Sequence, residues 1–287
     1  MIDSGANDLD DRRTATGAAI SVIVPSYNPG VYLRGALESA LHQLGPDDEI
    51  VVQDAGSTDG SQDLLAELAQ TDPRVRTVVE RDYGQSDALN RALRRVANPW
   101  VLWLNADDLL LESAIGALRH VIDDNPELDV VMGASQVVRA DGSTVDTYAG
   151  KPLSIPDMVA GGCAAFSGSI LMRTSFLSRI GGFETDLHTV MDLSLQLRMA
   201  AAKPRQAVIS TPIGALRFHE ASKSANLWRE FVRESHAVRM RHADGARQQS
   251  AARLGTLTHI VAGPLFRLRL TPAYRQFRRL VRRGVAR

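Results

Sequence analysis

The sequence predicts an α/β protein: a mainly parallel sheet with helices on both faces, followed by a helical, basic C-terminal extension. Three observations predict it. Short β-branched apolar runs alternate with helical patterns of about ten to fifteen residues. The runs are apolar throughout, as strands covered on both faces must be. The charge is also divided. The 287 residues carry 33 basic and 33 acidic side chains, yet residues 226–287 hold fourteen Arg, no Lys and three acids (Glu230, Glu234, Asp244). That stretch is therefore +11 and the remainder −11, and two parts of opposite sign suggest two tasks.

The elements follow in order. "AISVIVPSYN" reads as a buried strand ended by Pro25. Leu33, Leu37, Ala40, Leu41 and Leu44 then recur at helical spacing. "DEIVVQD" is a second strand, and the turn-rich "AGSTDGS" leads into a helix over "QDLLAELAQ". "VRTVVE" is a third strand, and "QSDALNRALRRVA" a helix with Leu89, Ala92, Leu93 and Val96 on one face. "WVLWL" is a fourth strand, followed by a helix over "LESAIGALRHVIDD". "DVVMGASQVVRADGSTV" reads as two strands turning at Asp141–Gly142, a hairpin signal. "HTVMDLSLQLRMAAA" is helical, "QAVIS" is one more strand, and helices dominate from Leu227 onward.

A composition of 44% hydrophobic and 23% charged residues is that of an ordinary globular chain. The single cysteine, Cys163, allows no internal disulfide and suits a reducing compartment. Residues 1–18 are polar, lack the apolar core of a signal peptide and read as a disordered arm. No stretch reaches the roughly 20 apolar residues that a membrane span needs.

In open parallel sheets, ligands bind outside the carboxyl ends of the strands. The first strand is followed by Pro25, Ser26, Tyr27 and Asn28, and the second by Asp54, Gly56, Ser57 and Asp59. "RDYGQSDALN" follows the third strand, and Asn105, Ala106, Asp107 and Asp108 the fourth. One edge thus gathers an aromatic ring, short polar side chains and several carboxylates. No G-x-G-x-x-G or Walker loop follows the first strand, which disfavours dinucleotide and P-loop binding. Carboxylates repel phosphate unless a divalent cation lies between them. Mg²⁺ or Mn²⁺ takes one or two carboxylates and completes its shell with phosphate oxygens and water. Asp107 and Asp108 therefore fit a metal–diphosphate site.

The succession "VIVPSYN", "VVQDAGSTDGS", "DYGQSDALN", "WLNADD", "GGFETDLHTVMDLSLQLRM" and "RFHEASKS", from Ile20 to Asn226, resembles the family 2 glycosyltransferases. The resemblance implies a Rossmann-like, A-type fold over residues 19–225 and inverting transfer from a nucleotide sugar. It sets Pro25 and Tyr27 beside the nucleobase. It makes Asp54 the acceptor for a uracil or thymine imide N–H, hence UDP or dTDP donors. An ionised carboxylate accepts only, so it suits a donor edge. Asp59, in the same motif, fits better as a cap for the following helix. Gly84, Asp87 and Asn90 would face the sugar and ribose. Asn105 and Ala106 open the motif in which relatives have Asp-x-Asp, with Asn105 in place of its first acid. Asp107 is then the principal ligand for Mg²⁺ or Mn²⁺, helped by Asp108 and His219. Arg217 and Lys223, with Ser222 and Ser224, suit a phosphate clamp. Asp192 resembles the catalytic base. Leu193 and Ser194 follow it where relatives have aromatic and acidic residues, so the second acid is missing.

"GPLFRLRLTPAYRQFRRLVRRGVAR" mixes apolar residues with dense Arg. A basic amphipathic element reads as a contact with an anionic membrane surface, consistent with a glycan or lipid-linked acceptor and a place at the inner face of the cell membrane. The other reading is a helix packed on the domain with a solvated Arg face. Nucleic-acid binding fits less well, because no recognisable module or aromatic platform is present. Two rivals to the enzyme reading stand beside it. A sugar-nucleotide pyrophosphorylase would need a glycine-rich basic loop after the first strand, and "PSYNPG" lacks it. A non-catalytic relative acting as a pathway scaffold is the other, suggested by Asn105 and Ser194.

Overall fold

A computed structural model describes residues 18–218 and 227–270. The first strand, β1 (Ile20–Ser26), is buried along its whole length. It lies between β2 (Glu49–Asp54) and β4 (Trp100–Trp103), and β3 (Val75–Val79) pairs outside β2. These four strands are mutually parallel. They are joined by α1 (Tyr32–Leu41), α2 (Ser61–Thr71) and α3 (Gln85–Leu93). The period of two divides β1 between the faces. Ile20, Val22 and Val24 meet Leu33 and Leu37 of α1, Leu65 of α2, and Ile115 and Leu118 of α4 (Ala114–Asp124). Ile23 joins the opposite core with Leu89 and Ala92 of α3.

Beyond β4 the sheet becomes mixed. Its order is β3-β2-β1-β4-β8-β6-β9-β5, with β7 paired to β6. Here β5 is Leu109–Leu110, β6 Val130–Arg139, β7 Thr144–Tyr148, β8 Ile170–Arg173 and β9 Gln206–Phe218. β8 runs antiparallel to both β4 and β6, β9 is parallel to β6, and β5 is antiparallel to β9. The parallel expectation thus holds for the first four strands and the β6–β9 pair. β8 and β5 are too short, at four and two residues, to leave a periodic signature. Their antiparallel pairings come from tertiary packing.

Two further details depart from the sequence reading. β1 runs through Pro25 to Ser26, with Pro25 opposite Gln53. Proline in a central strand forfeits a ladder bond, but β4 has already ended at Trp103 and its last bond, Leu104 N–H to the Ile23 carbonyl, lies behind Pro25. The missing N–H therefore costs nothing. Between β1 and β4 the chain order reverses direction across the sheet, which opens the crevice where ligands bind in such folds.

The expected break near residue 226 also needs correction. α5 (Ile155–Gly161) precedes β8, and α6 (Thr174–Arg179), α7 (Met191–Ala201), α8 (Trp228–His242) and α9 (Gly245–Leu270) follow it. Val238 of α8 and Ala252 of α9 belong to the same buried cluster as Met158 of α5, Phe176 of α6 and Leu197 of α7. Arg239, 0% exposed, donates to the carbonyls of Val159 and Ala160 at 3.2 Å each. α9 crosses here at Gly255, where a Cβ would overlap the Ala160 carbonyl oxygen and Arg239 Nη1. The first part of the basic extension is thus domain core. Residues 1–17, the stretch with His219 and Lys223, and the Arg-rich residues after 270 lie outside the described residues.

Candidate active site

At the end of β1 and β2, Asp54 is 0% exposed and both its oxygens are engaged. Oδ1 accepts from the backbone N–H groups of Gly56 (3.0 Å) and Ser57 (2.7 Å), and Oδ2 from the hydroxyls of Ser26 (2.7 Å) and Ser57 (2.6 Å). This corrects the expected contact with a uracil imide. A carboxylate enclosed by four protein donors braces the loops instead. The same lacing continues outward. Asn28 N–H donates to Ser57 Oγ, Thr58 N–H to Asn28 Oδ1, and Gly30 N–H to Asp59 Oδ2. Asp59 Oδ1 also accepts from Ser61 N–H at the first residue of α2, although the N-cap position itself is Gly60. Tyr27, 67% exposed, stands on this braced rim with its ring open to a ligand. Pro25 is buried in the strand behind it.

After β3 the chain enters α3 through Gly84, whose φ of 116° suits glycine. Asp87 Oδ2 accepts from Tyr83 N–H (3.1 Å) and Arg91 Nε (2.9 Å), so it holds the helix entrance. Asn90, expected to face the sugar and ribose, is engaged by the protein itself. Its amide donates to the Phe183 carbonyl (2.8 Å) and accepts from Phe183 N–H (2.9 Å). It thereby pins α3 to the Gly181-Gly182-Phe183 turn, and a side chain on Gly182 (φ 65°) would strike Asn90 Oδ1.

At the end of β4, Asn105 explains its own identity. Trp103 Nε1–H can only donate, so the atom 2.8 Å away is Asn105 Oδ1, which also accepts from Gln85 Nε2 at 2.8 Å. The Nδ2 group then faces Asp108 Oδ2 at 2.7 Å and donates to it. Aspartate would lose that donor and place like charges together. Asp108 is 1% exposed, and its other oxygen accepts from Arg217 N–H at 2.8 Å. Burial, then the Asp107 charge, push the Asp108 carboxyl well up. Asp108 therefore joins β9 to the strand end, a correction to its expected role as a ligand. Asp107 is only partly buried at the strand mouth, and Ala106 behind it is 6% exposed. The Arg217 guanidinium lies 5.0 Å from the Tyr32 ring of α1, a cation–π contact. Among the described residues no three His, Cys, Asp or Glu side chains form a metal cluster.

The other wall is α7 and the loop before it. Asp192 occupies the first turn of α7, with Oδ1 accepting from Leu193 N–H at 2.8 Å. Burial raises its carboxyl, opposed by the Leu193 N–H and by the Cys163 thiol that bonds to it. Cys163 is open to solvent by surface yet densely surrounded by protein. Desolvation, followed by the Asp192 charge, pushes its thiol well up. Ser194, 0% exposed, donates to Glu184 Oε2 at 2.7 Å, and Arg241 of α8 reaches Glu184 at 2.9 and 3.0 Å. Serine thus anchors the loop where a second acid was expected.

Trp103 connects the two walls. Its indole bonds to Asn105 and meets Phe183 edge-to-face with centroids 5.4 Å apart. Asn90 grips the Phe183 backbone on both sides. A contiguous chain of contacts therefore joins the strand end with Asp107 to the loop leading to Asp192. Sequence reading missed Gln85, Trp103, Glu184 and Cys163 in this arrangement. The "GGF" turn was the one available signal.

Comparison with known proteins agrees with this architecture. Residues 21–156 match the profile of "Glycosyl transferase family 2". A putative teichuronic acid biosynthesis glycosyltransferase, TuaG of Bacillus subtilis, is 38% identical over 90 residues, 31% of this chain and 36% of that one. The putative glycosyltransferase EpsH of the same organism is 24% identical over 71% of this chain and 62% of its own length. The chain spans 36–40% of the length of the first curated relatives it matches. Among solved structures, residues 1–349 of S. aureus TarS in complex with UDP-GlcNAc align with a TM-score of 0.63 at 18% identity, over 85% of this chain and 73% of that one. The mannosyltransferase PcManGT of Pyrobaculum calidifontis, in complex with GDP-Man and Mn²⁺, aligns with a TM-score of 0.57 at 20% identity, over 90% and 82%. The mixed sheet with its helices is the A-type glycosyltransferase fold, and within it residues 21–156 are a glycosyl transferase family 2 domain.

Proposed function

We propose that the chain transfers a sugar from a nucleoside-diphosphate sugar to an acceptor hydroxyl, with inversion at the anomeric carbon. The observation that carries this reading is Asp192, a carboxylate raised by burial in the first turn of α7, joined through Phe183 and Trp103 to the Asp107 strand end. In the reaction the acceptor oxygen forms a bond to the anomeric carbon as the bond to the diphosphate oxygen breaks. The hydroxyl proton passes to Asp192 and the bonding pair leaves with the nucleoside diphosphate. A carboxylate raised above its ordinary value is a stronger base than an unperturbed one.

Asp107 fits a divalent cation. It is a partly exposed hard-oxygen donor, and Mg²⁺ or Mn²⁺ asks for only one or two protein carboxylates when phosphates supply the rest. Such an ion, when bound, supplies Lewis-acid stabilisation of the leaving diphosphate. Arg217, with Lys223 and His219 from the neighbouring sequence, is suited to the same phosphates.

With Asp54 enclosed, a preference for UDP or dTDP rests only on likeness to a UDP-GlcNAc-bound neighbour, and a GDP-Man-bound neighbour weighs against it. A panel of UDP-, dTDP- and GDP-sugars, scored by thermal shift and nucleotide release with Mn²⁺ or Mg²⁺, tests the reading. Stabilisation by one donor with metal-dependent release is expected. No stabilisation and no release with any donor would favour the scaffold reading.

The acceptor we place on a lipid-linked or cell-envelope glycan, with the protein peripheral at the inner membrane face. Leu254, Leu257 and Ile260 are 63%, 57% and 42% exposed along α9, ahead of the Arg-rich end of the chain. Among the described residues no helix is long and apolar enough to cross a membrane. Co-sedimentation with anionic vesicles tests this: replacing Arg278, Arg279, Arg282 and Arg283 by Gln should reduce partitioning, and equal partitioning would refute it.

A further inference from the structure

A cavity of about 210 Å³ lies between the entrance to α3, the loop before α7 and the start of α8. We propose that it is the acceptor subsite, and that it takes a neutral, hydroxyl-bearing sugar ring in preference to a uronate or phosphosugar. The proposal rests on the glycosyl-transfer reading above and adds to it the place and class of the acceptor.

Position argues for the acceptor. One wall holds Gly84 and Gln85, and Gln85 bonds to Asn105 in the strand-end motif beside Asp107. The facing wall holds Thr185, Leu187 and His188, which lead directly into α7 and its first-turn Asp192. The attacking hydroxyl has to lie between the base and the leaving diphosphate, and the cavity adjoins the segments that carry both.

The lining argues for the class. A cavity of roughly 150 Å³ accepts a benzene ring, so this one has room for a single pyranose. Tyr83 is 87% exposed and offers an aromatic face with a polar tip, while Leu187 and Leu227 supply apolar surface for the C–H side of a ring. Glu230 comes from α8, with its side chain 30% exposed. A carboxylate only accepts, so it pairs with sugar hydroxyls. Among the described residues no Lys or Arg lines the cavity. Arg233 pairs with Glu230 at 3.3 Å, and its side chain is 74% exposed. A carboxylate or phosphate on the sugar would meet the Glu230 carboxylate, the one acid among the described lining residues, with Arg233 mostly in solvent and His188 the one side chain among them able to carry positive charge, a repulsive element that favours a neutral ring. Leu227 at the N-cap of α8 and Glu230 in its first turn both line the cavity, so the part of the chain that reads as a basic appendage completes the site.

The test uses the full chain and three probes: methyl β-D-glucopyranoside, methyl N-acetyl-β-D-glucosaminide and methyl β-D-glucuronide. Their binding is followed by saturation-transfer NMR with UDP and Mn²⁺ present. Nucleotide affinity is measured on the same samples by calorimetry. At least one neutral glycoside should bind and the glucuronide should not. Glu230→Gln and Tyr83→Ala should each weaken that binding about tenfold or more, the size of a lost charged hydrogen bond or ring contact. The proposal is overturned by absence of neutral-glycoside binding to the wild type, by equal binding of the glucuronide, or by unchanged binding in both variants. Displacement of the glycoside by UDP-glucose but not by UDP would overturn it as well, by assigning the cavity to the donor sugar. Failure of the wild type to bind any nucleotide would instead count against the glycosyl-transfer reading on which the proposal rests.

Discussion

Glu234 of α8 holds Thr189 twice, accepting from its backbone N–H at 2.9 Å and its hydroxyl at 2.7 Å, and it accepts from His188 N–H at 3.1 Å as well. Thr189 lies three residues before Asp192. The helix after the expected domain boundary thus sets the loop that delivers the candidate base. Truncation should be costly, because a buried donor left without its acceptor forfeits about 1–3 kcal/mol. Glu234→Ala is expected to lower stability by about 2–4 kcal/mol and to reduce turnover more than nucleotide affinity, with Gln restoring part of both. Denaturant unfolding and steady-state kinetics on the same samples check it. If Ala left turnover and stability intact, the clamp would be incidental.

The Glu234 contacts also set a pH dependence. Burial would raise this carboxyl, but the Thr189 and His188 donors outweigh it and hold it below the ordinary range. A depressed carboxylate contributes stability that is complete above its unfolded value, about 4.3, and is lost as the pH falls through the folded value. Acid unfolding of the wild type should therefore be steeper below pH ~4.3 than that of Glu234→Gln. Parallel acid-unfolding curves would count against it.

Asp192 has the opposite sign. Its raised carboxyl favours the protonated form in the folded state. The stability it contributes is complete below the unfolded value, about 3.9, and is lost as pH rises through the folded value. At neutral pH, Asp192→Asn should therefore unfold no more easily than the wild type and bind nucleotide normally. It should lose transfer by about 10²–10⁴-fold, the usual contribution of general base catalysis. The wild-type rate should rise along an acid limb displaced above the ordinary carboxylate range. Near wild-type turnover in the variant would remove Asp192 from the mechanism.

The parts of this arrangement legible in the sequence are those written in local pattern. β1, β2 and β4 appear as apolar runs because both their faces are covered, while the edge strand β3 carries Arg76 and Thr77 and is only partly buried, and the polar residues after each run mark the edge they share. What pattern does not carry is which atoms are already occupied. Asp54 and Asn90 have the right types and places for ligand contacts, but their oxygens are taken by Ser26, Ser57 and Phe183 from elsewhere in the chain. Glu234 and Glu230 lie in a segment dominated by Arg, where charge counting hides two carboxylates turned toward the site.

Asn105 is the departure from the Asp-x-Asp pattern, and its bonds give it a testable purpose. Asn105→Asp replaces the donor to Asp108 with a second negative charge at 2.7 Å and keeps the acceptor for Trp103. A loss of about 1–3 kcal/mol is expected without metal. Added Mn²⁺ should recover more stability in the variant than in the wild type, since the cation then balances one more carboxylate. Thermal unfolding with and without Mn²⁺ reads both effects. An unchanged apo stability would show that the Asn105–Asp108 contact is not what selects asparagine.

Asp54 separates bracing from base recognition. Asp54→Ala leaves the N–H groups of Gly56 and Ser57 and two hydroxyls without acceptors, and about 3–5 kcal/mol should be lost. Asp54→Asn is expected to cost only about 1 kcal/mol. Its carbonyl can take the two backbone donors, while its amide faces hydroxyls that can rotate to accept. A carboxylate that read uracil would behave differently, because the amide would change the ratio of UDP to GDP affinity while leaving the fold largely intact. For a bracing residue that ratio stays constant in Asp54→Asn as stability falls slightly. Calorimetric affinities for UDP and GDP, measured with denaturant unfolding on the same preparations, distinguish the two. A tenfold change in the ratio at unchanged stability would return Asp54 to the nucleobase pocket.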